Sequence, residues 1–346
     1  GNGSVPFVEA MSSPAHVHVS QDSSSDRARA RAPSPLSLSF GRMGSPTVLL
    51  VLLIFATMYC IICLDVVNPW LGGYQTAQGC FHLLTFTLLM SMALISYALT
   101  VTRDPGPVPA YDGLGSQPND GLGDAECGDV DAGVKAKTTA VHVEVKRKGN
   151  GTAPRFCSKC LAYKPPRTHH CRQCRRCVLK MDHHCVWVAN CVGHGNQKAF
   201  FLFLFYTTLS LVYALYLLIS FGIDMLHQQA ETKTSSFQSH RAPLPSIARP
   251  CFAGALLLPL SMGVGSLFAW HTRLVATNQT TIETYEGVRV RKTLASGETA
   301  SASHSRVYDV GLWANVTSIL GDNPPLWFVP WVGGPIGPGS AAGDGV

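Results

Sequence analysis

The sequence predicts an all-α polytopic membrane protein, with four transmembrane helices and a separate cysteine-rich domain of short β-hairpins and loops. Three observations predict it. Hydrophobic residues make up 46% of the 346-residue chain but concentrate in four runs, each near the ~20 residues a bilayer crossing needs. Seven of the twelve cysteines lie between Cys157 and Cys191, together with His169, His170, His183 and His184. The other five are scattered, which argues against a secretory disulfide framework and for a reducing compartment.

Taken in order, residues 1–45 are rich in Ser, Pro and Arg and read as a disordered tail. Residues 46–102 hold the first two spans, Thr47 to Val67 with only Asp65 near its end, and Gly79 to Thr102. The uncharged link 69–78 joins them as a hairpin. Residues 103–154 form a linker, Gly- and Asp-rich over most of its length, and residues 155–198 form the cysteine-rich domain. Residues 199–276 carry the other two spans. The third runs from about Ala199 to Ile223, and the fourth from Cys251 to Trp270, the latter weakened by Pro259 and three glycines. Residues 277–346 form the C-terminal tail. A buried helix of a soluble domain would explain one such run, but nothing in this chain could enclose four.

Charge sets the orientation. Residues 103–198 carry fifteen Lys plus Arg against nine acids, and the N-terminal tail adds Arg27, Arg29, Arg31 and Arg42. The link 69–78 has no charge, so the positive-inside rule puts both termini and the cysteine-rich domain in the cytosol. A net charge of +6 suits cytosolic loops beside an anionic membrane, and no nucleic-acid partner is expected.

The spacing of the cysteines says more than their number. Cys157, Cys160, His170 and Cys177 recur fourteen residues later as Cys171, Cys174, His184 and Cys191. The element C-x2-C-x9-H-x6-C therefore occurs twice, interleaved, and each copy supplies three thiolates and one imidazole, a complete shell for a structural zinc ion. His169 and His183 also stand fourteen apart, so spacing leaves open which member of each histidine pair ligates. Cys185 is left over, preceded by Asp182, His183 and His184.

The run Asp182-His183-His184-Cys185 in such a segment, continuing to Asn190-Cys191-Val192-Gly193, resembles the DHHC family of protein S-acyltransferases (palmitoyltransferases). Three flanking motifs resemble that family in order: Asp104-Pro105-Gly106, Thr280-Thr281-Ile282-Glu283, and Tyr308-Asp309 through Gly311 to Asn315. Val186 departs from the proline usual after the motif. The resemblance implies two structural zincs held by Cys157, Cys160, His170 and Cys177 and by Cys171, Cys174, His184 and Cys191. It gives His183 the role of base and Cys185 that of nucleophile. It further implies palmitoyl-CoA as donor, cysteine-containing proteins at the membrane as acceptors, and a Golgi or ER location.

The residues support that chemistry independently. His183 and Cys185 are two apart, so in an extended segment they share a face while His184 turns the other way. A histidine beside a thiol activates it as a nucleophile, and Asp182 can fix the histidine's tautomer as the third member of a triad does. Arg172, Arg175, Arg176 and Lys180 offer charge for CoA phosphates or the membrane surface, or simply a solvated face. A membrane-tethered zinc module that only binds other molecules would explain the eight ligands and leave Cys185 idle. A transporter would explain the spans and not the zinc.

Overall fold

A computed structural model describes residues 41–108, 141–144, 155–234, 244–293, 299–304 and 306–332. The tail expected over residues 1–45 lies outside them apart from 41–45, and the linker expected over 103–154 apart from 103–108 and 141–144.

Among the described residues, four helices are long and apolar enough to cross a membrane: Pro46–Leu71, Ala77–Thr102, Gln197–Gln228 and Ala248–Ala276. The first is α1 (Pro46–Cys60), opened by a proline at its first turn, where the missing N–H costs nothing. It runs on through a π-helical stretch, Ile61–Val67, and a last turn, Asn68–Leu71. Gly72 ends it in the left-handed conformation, φ 73°. Thr76 then caps α2 (Ala77–Thr102) by accepting the N–H of Gly79 at 3.0 Å. A side chain at Gly79 would start 2.0 Å from the carbonyl oxygen of Gly73, so this tight hairpin requires a glycine there.

The third span belongs to α3 (Gln197–Thr234) and the fourth to α4 (Leu244–Ala276), each longer than its apolar run. The fourth helix is continuous through Pro250 and through Pro259, which with three glycines weakens the span in sequence. In a membrane the helix is the only open-chain way to satisfy the backbone, and single prolines are tolerated within it. Phe86, Met90 and Ala93 of α2 pack with Leu202, Tyr206, Ala214 and Leu217 of α3, with Phe55, Ile62 and Val66 of the first helix and with Leu257 of α4. The outward faces are equally apolar, including Leu53, Leu84, Val212 and Phe252, as helices surrounded by lipid require.

β1 (Val141–Glu144) pairs with a strand beyond the fourth span. Between them lie three antiparallel hairpins: β2 (Phe156–Cys157) with β3 (Ala162–Tyr163), β4 (His169–Cys171) with β5 (Arg176–Val178), and β6 (His183–Cys185) with β7 (Asn190–Val192). After α4 come a one-turn helix, α5 (Thr281–Glu286), then β8 (Val288–Thr293) and β9 (Thr299–His304), which with β1 form a sheet in the order β1-β8-β9. A last helix, α6 (Leu312–Leu320), follows.

The hairpins are fastened to the end of α2. Asn190 donates from its side-chain amide to the carbonyls of Thr100, Val101 and Arg103, at 3.1, 3.2 and 2.9 Å. These are carbonyls that a helix end leaves without partners. The Asp104-Pro105-Gly106 turn continues the attachment: Pro105 O accepts the N–H of Gly195 at 2.9 Å, and the Asp104 carboxylate takes both arms of the Arg176 guanidinium. Gly195 lies so close that a side chain would start 2.3 Å from Asp104 O.

Candidate active site and metal centres

The fourteen-residue offset is a structural repeat. In the register, His170 faces Cys177 and His184 faces Cys191, so the same step relates β4–β5 to β6–β7. Ligand atoms of Cys157, Cys160, His170 and Cys177 gather within 4.8 Å of one another, and those of Cys171, Cys174, His184 and Cys191 form a second such group. His170 Nδ1 lies 3.5, 3.3 and 3.9 Å from the sulfurs of Cys157, Cys160 and Cys177. His184 Nδ1 lies 3.5, 3.5 and 3.6 Å from those of Cys171, Cys174 and Cys191. Tetrahedral zinc, with Zn–S about 2.3 Å and Zn–N about 2.1 Å, requires N···S edges of roughly 3.6 Å. The two clusters fit zinc, and each draws on two hairpins.

Cys185 stands outside both clusters. It is buried where the hairpins meet the spans, packed with Val48, Tyr97, Val188, Phe200 and Leu204. The turn after it is held by its backbone: Thr47 donates its hydroxyl to Val186 O and Tyr97 donates to Trp187 O, both at 2.7 Å. His183 is paired with Asp182, Nδ1 to Oδ2 at 2.6 Å, which leaves Nε2 as the nitrogen free to meet a thiol. Asp182 is buried, and Thr281 fixes it with its N–H on Oδ1 at 2.8 Å and its hydroxyl on Oδ2 at 2.9 Å. Burial opposes charge on Asp182, yet His183, His271 and the Thr281 N–H hold its carboxyl below the usual carboxylate range. Burial also opposes the His183 imidazolium, but Asp182 and Cys185 outweigh it and push His183 up to about 9. The rise reflects an imidazolium held between a carboxylate and a sulfur, the arrangement that results when a thiol proton lies on His183.

A family model described as DHHC palmitoyltransferase matches residues 150–288. The chain is 37% identical to "Probable protein S-acyltransferase 15" of Arabidopsis thaliana over 266 residues, 76% of this chain and 88% of that protein. The chain belongs to the DHHC palmitoyltransferase family. It is also 36% identical to "Probable protein S-acyltransferase 16" of the same plant, covering 82% of this chain and 87% of that protein. With "Palmitoyltransferase ZDHHC15" of Rattus norvegicus it shares 36% identity over 58% of this chain and 51% of that protein. This DHHC chain is accordingly a protein-cysteine S-acyltransferase.

Two residues of this DHHC site were not singled out from the sequence. His271, on α4, is buried with its ring 5.9 Å from that of His183 and 5.0 Å from Phe200, and it shares a 4.8 Å group of donor atoms with Asp182 and His183. The signal for it was a lone histidine in an apolar span, nine residues before Thr280. Arg167, just before β4, is buried with Nε 2.7 Å from Glu283 Oε1 and Nη2 2.9 Å from Oε2. It also bonds Asn278 and lies 4.3 Å over the Tyr308 ring. Glu283 in turn closes a capping box with Thr280, so Arg167 anchors the helix whose Thr281 holds Asp182. Of the basic run, Arg172 and Arg175 are exposed, Arg176 is spent on Asp104, and Lys180 is buried.

Proposed function

We propose that this DHHC chain transfers a long-chain acyl group, palmitoyl in the first instance, from acyl-CoA to cysteines of membrane-associated proteins through a thioester on Cys185. One observation carries the reading: Cys185 is the thiol of the cysteine-rich segment that neither four-ligand cluster uses, and it sits beside the His183–Asp182 pair. His183 Nε2 takes the thiol proton while Asp182 holds Nδ1–H and stabilises the imidazolium. The Cys185 thiolate adds to the acyl carbonyl, CoA leaves as its thiolate, and the proton on His183 goes to it. In the second step an acceptor cysteine gives its proton to His183, its sulfur takes the acyl group, and Cys185 leaves and is reprotonated. One thioester replaces another, so neither step needs an energy source.

Zinc, when bound, supplies the cross-links that keep the hairpins folded. The ligands are Cys157, Cys160, His170 and Cys177 in one site and Cys171, Cys174, His184 and Cys191 in the other. Arg172 and Arg175 are the exposed cations for CoA phosphates. The cysteine-rich domain, residues 155–198, and both termini face the cytosol, on a Golgi or ER membrane.

The test is to incubate purified protein with labelled palmitoyl-CoA and map a hydroxylamine-sensitive label to Cys185. A label that survives Cys185→Ser overturns this assignment, and a complete absence of label favours a zinc-binding interaction module.

A further inference from the structure

Beyond the last span, residues 310–332 expose Val310, Leu312, Trp313, Phe328 and Trp331. Over 321–332, GDNPPLWFVPWV, the only charge is Asp322. The structure runs this segment along α3. Lys198, buried at the start of that helix, donates from Nζ to Leu320 O, Leu326 O and Val332 O at 3.0, 3.0 and 2.7 Å. Further along the helix, Tyr206 donates to Phe328 O at 2.7 Å, and the Phe205 ring lies 5.6 Å from that of Phe328.

The depth of that contact follows from helix geometry. The apolar run Ala199 to Ile223 is about 37 Å long at 1.5 Å per residue, against a hydrocarbon core of about 30 Å. The core therefore begins no more than about 7 Å beyond Ala199, whereas Tyr206 lies about 10 Å beyond it. The carbonyl of Phe328 thus sits at the depth of the acyl chains.

Irregular backbone survives there only if its polar groups find partners, and much of this segment's backbone has them. Lys198 and Tyr206 take four carbonyls. The Trp327 N–H reaches Pro324 O at 3.0 Å, its indole N–H reaches Gly321 O at 2.7 Å, and the Val329 N–H reaches Leu326 O at 3.1 Å. Pro324, Pro325 and Pro330 have no N–H to satisfy.

We infer that residues 324–332 form a wedge inserted into the leaflet on the side of the cysteine-rich domain, with lipid acyl chains against Phe328 and against Trp331 at its shallower edge, where the Trp331 carbonyl accepts from the Arg103 guanidinium at 3.4 Å. Trp313 and Trp327, rings 5.3 Å apart, mark the interfacial level, where indoles concentrate. The surface is continuous with the lipid-facing side of α3, which favours a bilayer over a protein as its occupant. The proposal depends on the spans crossing a membrane and not on the acyl-transfer reading, and it takes part of the expected cytosolic tail out of the water.

The test places p-benzoylphenylalanine singly at Phe328, Trp331, Val212 and Asp322 in the full chain, reconstituted in phosphatidylcholine vesicles and irradiated. Val212 is exposed on α3 and serves as the lipid-facing reference. A phospholipid mass adduct at 328 and 331, as at 212, with none at 322, is expected. An adduct at 212 alone, or a cross-link from 328 to a second chain, overturns the wedge. As a second measurement, Trp331→Phe should remove emission that dibrominated phosphatidylcholine quenches. If the emission it removes is unquenched, the wedge is likewise overturned.

Discussion

The β4–β5 and β6–β7 hairpins are the same object built twice, and they end in different chemistry. Cys171 closes β4 and Cys185 closes β6, fourteen residues apart and in the same register position. After Cys171 comes Cys174, and the two help hold a metal cluster. The counterpart of Cys174 is Val188, buried against the spans, so Cys185 has no second sulfur at that spacing and stands outside both clusters. The residues before the histidine pairs differ as well: Thr168 precedes His169, whereas Asp182 precedes His183 and bonds it. On the reading proposed above, a metal knuckle becomes a nucleophile's cradle when one ligand is dropped and one carboxylate is added.

The largest effect should come from exchanging each of the two cysteines for serine. Cys171→Ser opens a cluster whose metal contributes roughly 10–16 kcal/mol of apparent folding free energy in model peptides. It should lose a zinc and aggregate, and a strong chelator should do the same to the native protein. Cys185→Ser should retain both zincs and lose all acyl label. Metal analysis and labelling on the same samples decide it, and a zinc lost from Cys185→Ser breaks the contrast.

The histidines come next. His183→Ala should slow acyl-enzyme formation by roughly 10²–10⁴-fold, the usual value of a general base, with zinc content unchanged. His169→Ala, at the equivalent position, should leave the rate within a few-fold of native. Equal rates in single-turnover labelling would mean that the hairpins do not differ in this way.

Asn190 and Arg176 also occupy equivalent positions, and each ties its hairpin to α2. Asn190→Ala takes a donor from Val101 O and Arg103 O, while Thr100 O keeps the Asn196 amide at 3.1 Å, and a loss of about 1–3 kcal/mol is expected from unsatisfied groups of this kind. Arg176→Ala, at a partly exposed ion pair, should cost about 1 kcal/mol or less. Thermal unfolding of the two variants, followed in one detergent, ranks them. The smallest effect is expected from Val186→Pro. Val186 is the first residue of a 3-10 turn, where proline fits, and labelling should stay within about twofold of native.

The eight cluster residues and the four spans were legible because each is written locally, in residue identity at fixed spacing or in an unbroken apolar run. The helix ends were less so, since α3 and α4 extend past their apolar runs into polar sequence that propensity does not forbid. What joins distant segments left no local pattern. Arg167 meets Glu283 across more than a hundred residues, and His271 reaches His183 from another element. The pairing of β1 with β8 likewise draws a strand out of a stretch whose composition reads as linker. Such partners are chosen by the folded surface, and nothing in the neighbouring letters announces them.

The turn beyond Cys185 is gripped by Thr47 and Tyr97 through the carbonyl oxygens of Val186 and Trp187. Every amino acid brings the same carbonyl, so the grip is blind to what stands at position 186. The family's usual proline can be exchanged for valine there without retooling the anchor, and the residue next to Cys185 is one where sequence can drift while the architecture stays still.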